Sequence, residues 1–91
     1  MKRASDGKPF TDMWYIYVIK SLNSRYKYVG STNDLKRRIL EHNNGVCESS
    51  RPYKPFELVA YVAVKNKSKA IELEKYFKSG SGIAFLNSRI L

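Results

Sequence analysis

Apolar and polar positions follow two different periods along these 91 residues. Trp14 to Ile19 is an unbroken aromatic and β-branched run, which predicts a strand. Ser21 to Arg25 is polar and turn-forming, and Tyr26 to Ser31 predicts a second strand, so the two are expected to form an antiparallel hairpin. Pairing Tyr17 opposite Tyr28 closes the loop and puts both rings on one face, whereas a one-residue slip would separate them. From Asp34 to Asn44 the period becomes helical, with Thr32 or Asn33 as cap and Gly45 as terminator. Phe56 to Val64 is almost continuously apolar, as expected of a strand covered on both faces. Ser68 opens a second helix running to about Lys78, and Ser79-Gly80-Ser81-Gly82 breaks it. Ile83 to Ile90 predicts a short final helix with Phe85 and Leu86 inward. The order β-β-α-β-α-α gives an α+β fold, a small, mainly antiparallel three-stranded sheet flanked by helices. Residues 1–13 read as a flexible basic tail and 14–91 as one domain.

Against this pattern three polar residues stand out. Projected at about 100° per residue, the first helix has Leu35 and Ile39 as its inward stripe, and Arg38 and His42 lie beside them on the same face. Lys36, Arg37 and Glu41 are expected to face solvent. In the second helix Ala70, Leu73 and Phe77 form the buried stripe, with Glu74 among them and Glu72 facing away. Each oddity has an ordinary reading: Arg38 snorkelling, His42 as a satisfied structural histidine, Glu74 ion-paired with Arg38, the tyrosines as plain strand core. Together these readings ask a small core to hold an arginine, a histidine, a glutamate and two phenols without benefit.

Charge narrows the partner. Seventeen Lys and Arg against eight Asp and Glu leave +9, with a pI near 9.8. Such a chain is drawn to polyanions, nucleic acid first and an anionic membrane surface second. No apolar run approaches the ~20 residues of a membrane span, and no apolar segment follows Met1-Lys2-Arg3 as a secretory signal requires, so a cytoplasmic protein is expected. Cys47 is the only cysteine, which excludes an intrachain disulfide and a thiolate-rich zinc site.

These residue types suit phosphodiester cleavage. That reaction needs a metal to polarise the phosphate, a carboxylate to hold the metal, cationic donors for developing charge, and a base for water. A single carboxylate suffices for Mg²⁺ when phosphate and water complete its shell.

The same residues resemble the GIY-YIG nuclease superfamily, in particular its small stand-alone bacterial members. Tyr15-Ile16-Tyr17 stands where the first motif belongs and Tyr28-Val29-Gly30 where the second does. The block runs on through Ser31-Thr32-Asn33-Asp34-Leu35-Lys36-Arg37-Arg38, with His42 after it and Glu74 in Ala70-Ile71-Glu72-Leu73-Glu74-Lys75. Tyr15 replaces the leading glycine and Val29 an isoleucine. The resemblance covers residues 14 to about 90 and rests on the joint spacing of five positions. It implies an endonuclease using one divalent ion, Mg²⁺ or Mn²⁺, on Glu74. By the same resemblance Tyr17 is the base or water-positioning phenol, Tyr28 contacts phosphate or water, Arg38 stabilises the transition state, and His42 supports it or transfers protons. Gly30 would allow close approach of substrate. Ser31, Arg37, Arg51 and Lys54 are candidate substrate contacts, the last two from the basic aromatic loop 46–55. The expected partner is nucleic acid, DNA before RNA, including damaged, branched or distorted forms, with a protein partner for targeting left open along with oligomeric state. The alternative is a nucleic-acid-binding module that keeps the fold and does not cut.

Overall fold

The computed structural model describes residues 12–91; residues 1–11 of the expected tail lie outside the described residues. Three strands form one antiparallel sheet: β1 (Trp14–Ser21), β2 (Lys27–Thr32) and β3 (Phe56–Val64), in the order β2-β1-β3. Helix α1 (Leu35–Asn43) follows β2. A single 3₁₀ turn, Arg51–Tyr53, precedes β3, and α2 (Lys67–Lys78), α3 (Gly80–Phe85) and a π-type turn, Leu86–Ile90, complete the chain. The α+β fold and the order of elements are those expected from the sequence.

The central position of β1 explains its composition. Ile16, Tyr17, Val18 and Ile19 are all buried, which requires cover on both faces. Ile16 and Val18 pack with Ala70, Phe77 and Leu86 on the α2 side. Tyr17 and Ile19 pack with Phe56, Leu35 and Ile39 on the α1 side. The equally apolar β3 is instead an edge strand, with Leu58, Tyr61 and Val62 exposed, so the expectation of two covered faces is corrected. An apolar run marks a strand but carries no information on which strand lies between the others.

The hairpin register is also corrected. Tyr17 lies opposite Gly30, and Tyr28 opposite Ile19, two residues from the expected pairing. A slip of two preserves parity, so both tyrosines keep the α1 face, their ring centroids 6.2 Å apart. Asp34 caps α1, its side chain accepting from the Arg37 amide, where Thr32 or Asn33 was expected. Thr32 accepts the Asp34 amide through its hydroxyl instead. Gly45, with φ +77°, does end the helix region in the left-handed conformation. At the other end of the chain α2 starts at Lys67 under an Asn66 cap. Ser79 then caps α3, whose Gly82 leaves no space for a Cβ beside the Tyr76 carbonyl. Leu86 is buried as expected, whereas Phe85 stays 42% exposed while its ring stacks on Phe77.

Candidate active site

Helix geometry sets Arg38 and His42 one turn apart on the face of α1 that covers Tyr17 and Tyr28. His42 is fully buried and completely bonded: Nε2 lies 2.8 Å from Tyr17 Oη, and Nδ1 lies 2.7 Å from Ser50 Oγ. Arg38 Nε–H donates to Tyr17 Oη at 3.4 Å, and Ser50 Oγ–H donates to the Cys47 carbonyl at 3.4 Å. One proton arrangement gives every member an acceptor. Arg38 donates to Tyr17, Tyr17 donates to Nε2, and Nδ1–H donates to Ser50, which donates to Cys47. The result is a directional line of four side chains with the phenol in the middle.

Electrostatics matches that assignment. Burial, helped by Arg38, lowers the His42 pKa to about 4, so the ring is a neutral acceptor at pH 7. Burial raises Tyr17 to about 12, against which the Arg38 hydrogen bond acts weakly. Tyr28 is likewise raised by burial. The Arg38 guanidinium is held charged chiefly by Glu41, which accepts from Nη1 at 2.8 Å. Glu41 was expected to face solvent; it turns back one helical turn to Arg38 and also stands 3.8 Å from Arg37. The expected option of an Arg38–Glu74 ion pair is not what forms.

Glu74 comes from the other side of the sheet. Its Oε1 accepts from Ser31 Oγ at 2.7 Å, and its Oε2 accepts from Lys78 Nζ at 2.8 Å. Burial alone would raise its pKa, but the Lys78 ammonium and the Ser31 hydroxyl outweigh it and hold the carboxyl below its usual range. Because β2 is an edge strand, groups from both faces meet around it. Lys78 joins them, its ammonium on Glu74 and 5.7 Å from the centre of the Tyr28 ring. Gly30 lies between Ser31 and the tyrosines. A Cβ there would stand 2.5 Å from Tyr17 Oη, so the missing side chain makes room for the phenol itself.

The structure thus brings Tyr17, Tyr28, Arg38, His42 and Gly30 together, with Ser31 and Glu74 at the edge of β2. Arg37, exposed, bonds Asn33 Oδ1 and shares Glu41 with Arg38. Arg51 and Lys54 are exposed residues after Gly45, and Arg51 Nε–H donates to the Gly45 carbonyl. Sequence reasoning missed Ser50, Glu41 and Lys78. The last two had a signal, since each lies one helical turn from an oppositely charged site residue. Ser50 had none, because its position depends on the fold of the loop.

The residues fit a divalent cation. Glu74 is ionised, partly open, and already carries a cation, Lys78, on one oxygen. Among the described residues no cluster of three His, Cys, Asp or Glu exists, so Glu74 stands as a single carboxylate. Also among the described residues, no helix is long and apolar enough to cross a membrane.

Comparison with known proteins converges with this geometry. The model of the GIY-YIG catalytic domain matches residues 13–83. UPF0213 protein YazA of Bacillus subtilis is 33% identical over 69 residues, 75% of this chain and 69% of that protein. A UPF0213 protein of Clostridium perfringens is 37% identical over 67 residues, 72% and 71% of the two chains. The solution NMR structure of a UPF0213 protein from Bacillus halodurans superposes with a TM-score of 0.51 at 32% identity, covering 84% of this chain and 83% of that one.

Proposed function

Since the chain belongs to the GIY-YIG family, we propose that it is a divalent-metal-dependent endonuclease that hydrolyses phosphodiester bonds in DNA. The observation that carries this reading is the line Arg38–Tyr17–His42–Ser50, in which one phenol joins a guanidinium to a neutral imidazole. The same phenol also accepts from the Arg38 guanidinium, so a cation and a neutral proton acceptor converge on one hydroxyl.

With a pKa of about 12, Tyr17 is a phenolate in only about one molecule in 10⁵ at neutral pH, so a preformed phenolate is a poor source of base. The hydrogen bond to His42 supplies another route. As Tyr17 Oη takes a proton from the attacking water, its own proton passes to His42 Nε2; burial and Arg38 disfavour the imidazolium, so this charge is transient, while Nδ1–H stays on Ser50. Arg38, bonded to the same phenol, faces the charge that develops on the phosphate. A divalent ion held by Glu74 would polarise the phosphate and offset its charge. Tyr28 and Ser31 line the approach, and Arg37, Arg51 and Lys54 supply positive charge for the backbone.

A second reading, a nucleic-acid-binding module that does not cut, draws support from Lys78, which already neutralises Glu74. Incubation with supercoiled plasmid and branched DNA in Mg²⁺, Mn²⁺ or EDTA separates the two. Metal-dependent nicking that Glu74→Ala abolishes, with DNA binding kept or tightened, is expected. Binding without cutting across these substrates selects the second reading.

A further inference from the structure

Lys78 is the charged residue at this site that the proposed chemistry leaves without a task. Its ammonium occupies Glu74 Oε2 at 2.8 Å, the Ser31 hydroxyl occupies Oε1, and the same ammonium stands over the Tyr28 ring. Lys78 is half exposed on a flexible stem, so its head can leave the carboxylate without disturbing α2. We propose that Lys78 is a built-in counter-ion for Glu74 that exchanges partners when the site is loaded. In the free protein it holds the carboxylate; when a divalent ion takes the carboxylate, the ammonium moves to a substrate phosphate beside Tyr28. This inference rests on the reading of Glu74 as the metal-holding residue.

The physical ground is charge counting. One carboxylate cannot keep both an ammonium in direct contact and a divalent ion, because the two cations repel at that separation. The displaced ammonium needs an anion, and Tyr28, over which it already lies, is the tyrosine placed to line the substrate approach. Two consequences follow. Lys78 opposes metal binding in the absence of DNA. It strengthens DNA binding only when metal is present, which makes the two ligands favour one another by linkage.

The test uses Lys78→Met, with Lys75→Met as a control for loss of one exposed lysine from the same helix. Mn²⁺ affinity without DNA, read by calorimetry or by the electron paramagnetic resonance of the free ion, is expected to rise in Lys78→Met. The rise should be at least about twofold, the ratio equivalent to one exposed ion pair a helical turn apart, and Lys75→Met should change less. DNA affinity is then followed against salt by fluorescence anisotropy, in a Tyr17→Phe background that keeps the DNA whole. With Mn²⁺, Lys78→Met should flatten the plot of log K against log salt by about one phosphate contact; in EDTA the two slopes should coincide. Equal Mn²⁺ affinity in Lys78→Met and Lys78-containing protein overturns the proposal. So does an equal loss of slope in Mn²⁺ and EDTA, which makes Lys78 a constant phosphate contact. Glu74→Gln separates the two levels: if it leaves Mn²⁺ affinity unchanged, the metal-holding role of Glu74 itself fails, and the exchange with it.

Discussion

Acid should weaken this protein through His42, by an amount that follows from its surroundings. The ring is fully buried, and burial together with Arg38 lowers its pKa from 6.5 to about 4. The folded state therefore binds this proton less readily than the unfolded chain. Stability is complete above the unfolded value and falls as pH drops from about 6.5 towards 4. At pH 5 an unfolded histidine is almost wholly charged and the folded one almost wholly neutral. The loss there is about 2 kcal/mol, rising to roughly 3 kcal/mol at pH 4, at 1.36 kcal/mol per pKa unit. For a domain of this size, the pH 5 loss corresponds to a Tm lower by on the order of 8–16 °C. Thermal unfolding followed by circular dichroism from pH 7.5 to 4.5, beside His42→Gln, isolates the effect. The variant should start less stable, since Tyr17 and Ser50 lose a shared partner, but its Tm should decline less with acid. Glu74, whose carboxyl is held low, also loses its contribution as pH falls through its folded value, yet it is present in both proteins and cancels. Parallel Tm curves between pH 7 and 5 would refute the assignment of a desolvated, neutral His42.

Arg38→Ala should lower kcat/KM by roughly 10²–10³, equivalent to about 2–4 kcal/mol for a charge-stabilising donor, and unchanged kinetics would reduce Arg38 to packing. Gly30→Ala places a Cβ 2.5 Å from Tyr17 Oη and 2.7 Å from its Cζ. It should cost about 1–3 kcal/mol in urea unfolding and cut activity with it, while a wild-type Cm and rate would show that the phenol yields freely. Phe77→Ala empties a buried position between α2 and β1 and should cost about 3–5 kcal/mol, leaving cleavage intact well below Tm; a smaller loss would mean that the C-terminal segment collapses onto the gap.

Local periodicity made much of this site legible before any tertiary structure. Four residues is close to one helical turn, so Arg38 and His42 share a face wherever α1 docks. Strand parity is equally robust: the hairpin register differs by two residues from the one expected, yet Tyr17 and Tyr28 remain on one side. Glu74, set among Ala70, Leu73 and Phe77, belonged to the sheet-facing side of α2 by the same logic. These are properties of one element at a time, and a sequence specifies them directly.

Beyond the expected β1–β2 hairpin, what joins the elements was not legible. Nothing in two similar apolar runs told β1 from β3, because centre and edge are decided by which strand the helices sandwich. Ser50 reaches His42 only because the chain after Gly45 folds back, and backbone freedom in that loop leaves no periodic trace. Ser31 and Lys78 meet on Glu74 because β2 is the open edge around which α2 approaches. The sequence by itself determined the type of each element and the face each reactive side chain occupies, through the fixed periods of helix and strand. Only the tertiary structure decided which faces meet and which hydrogen-bond partners result, since those depend on contacts between residues far apart in the chain.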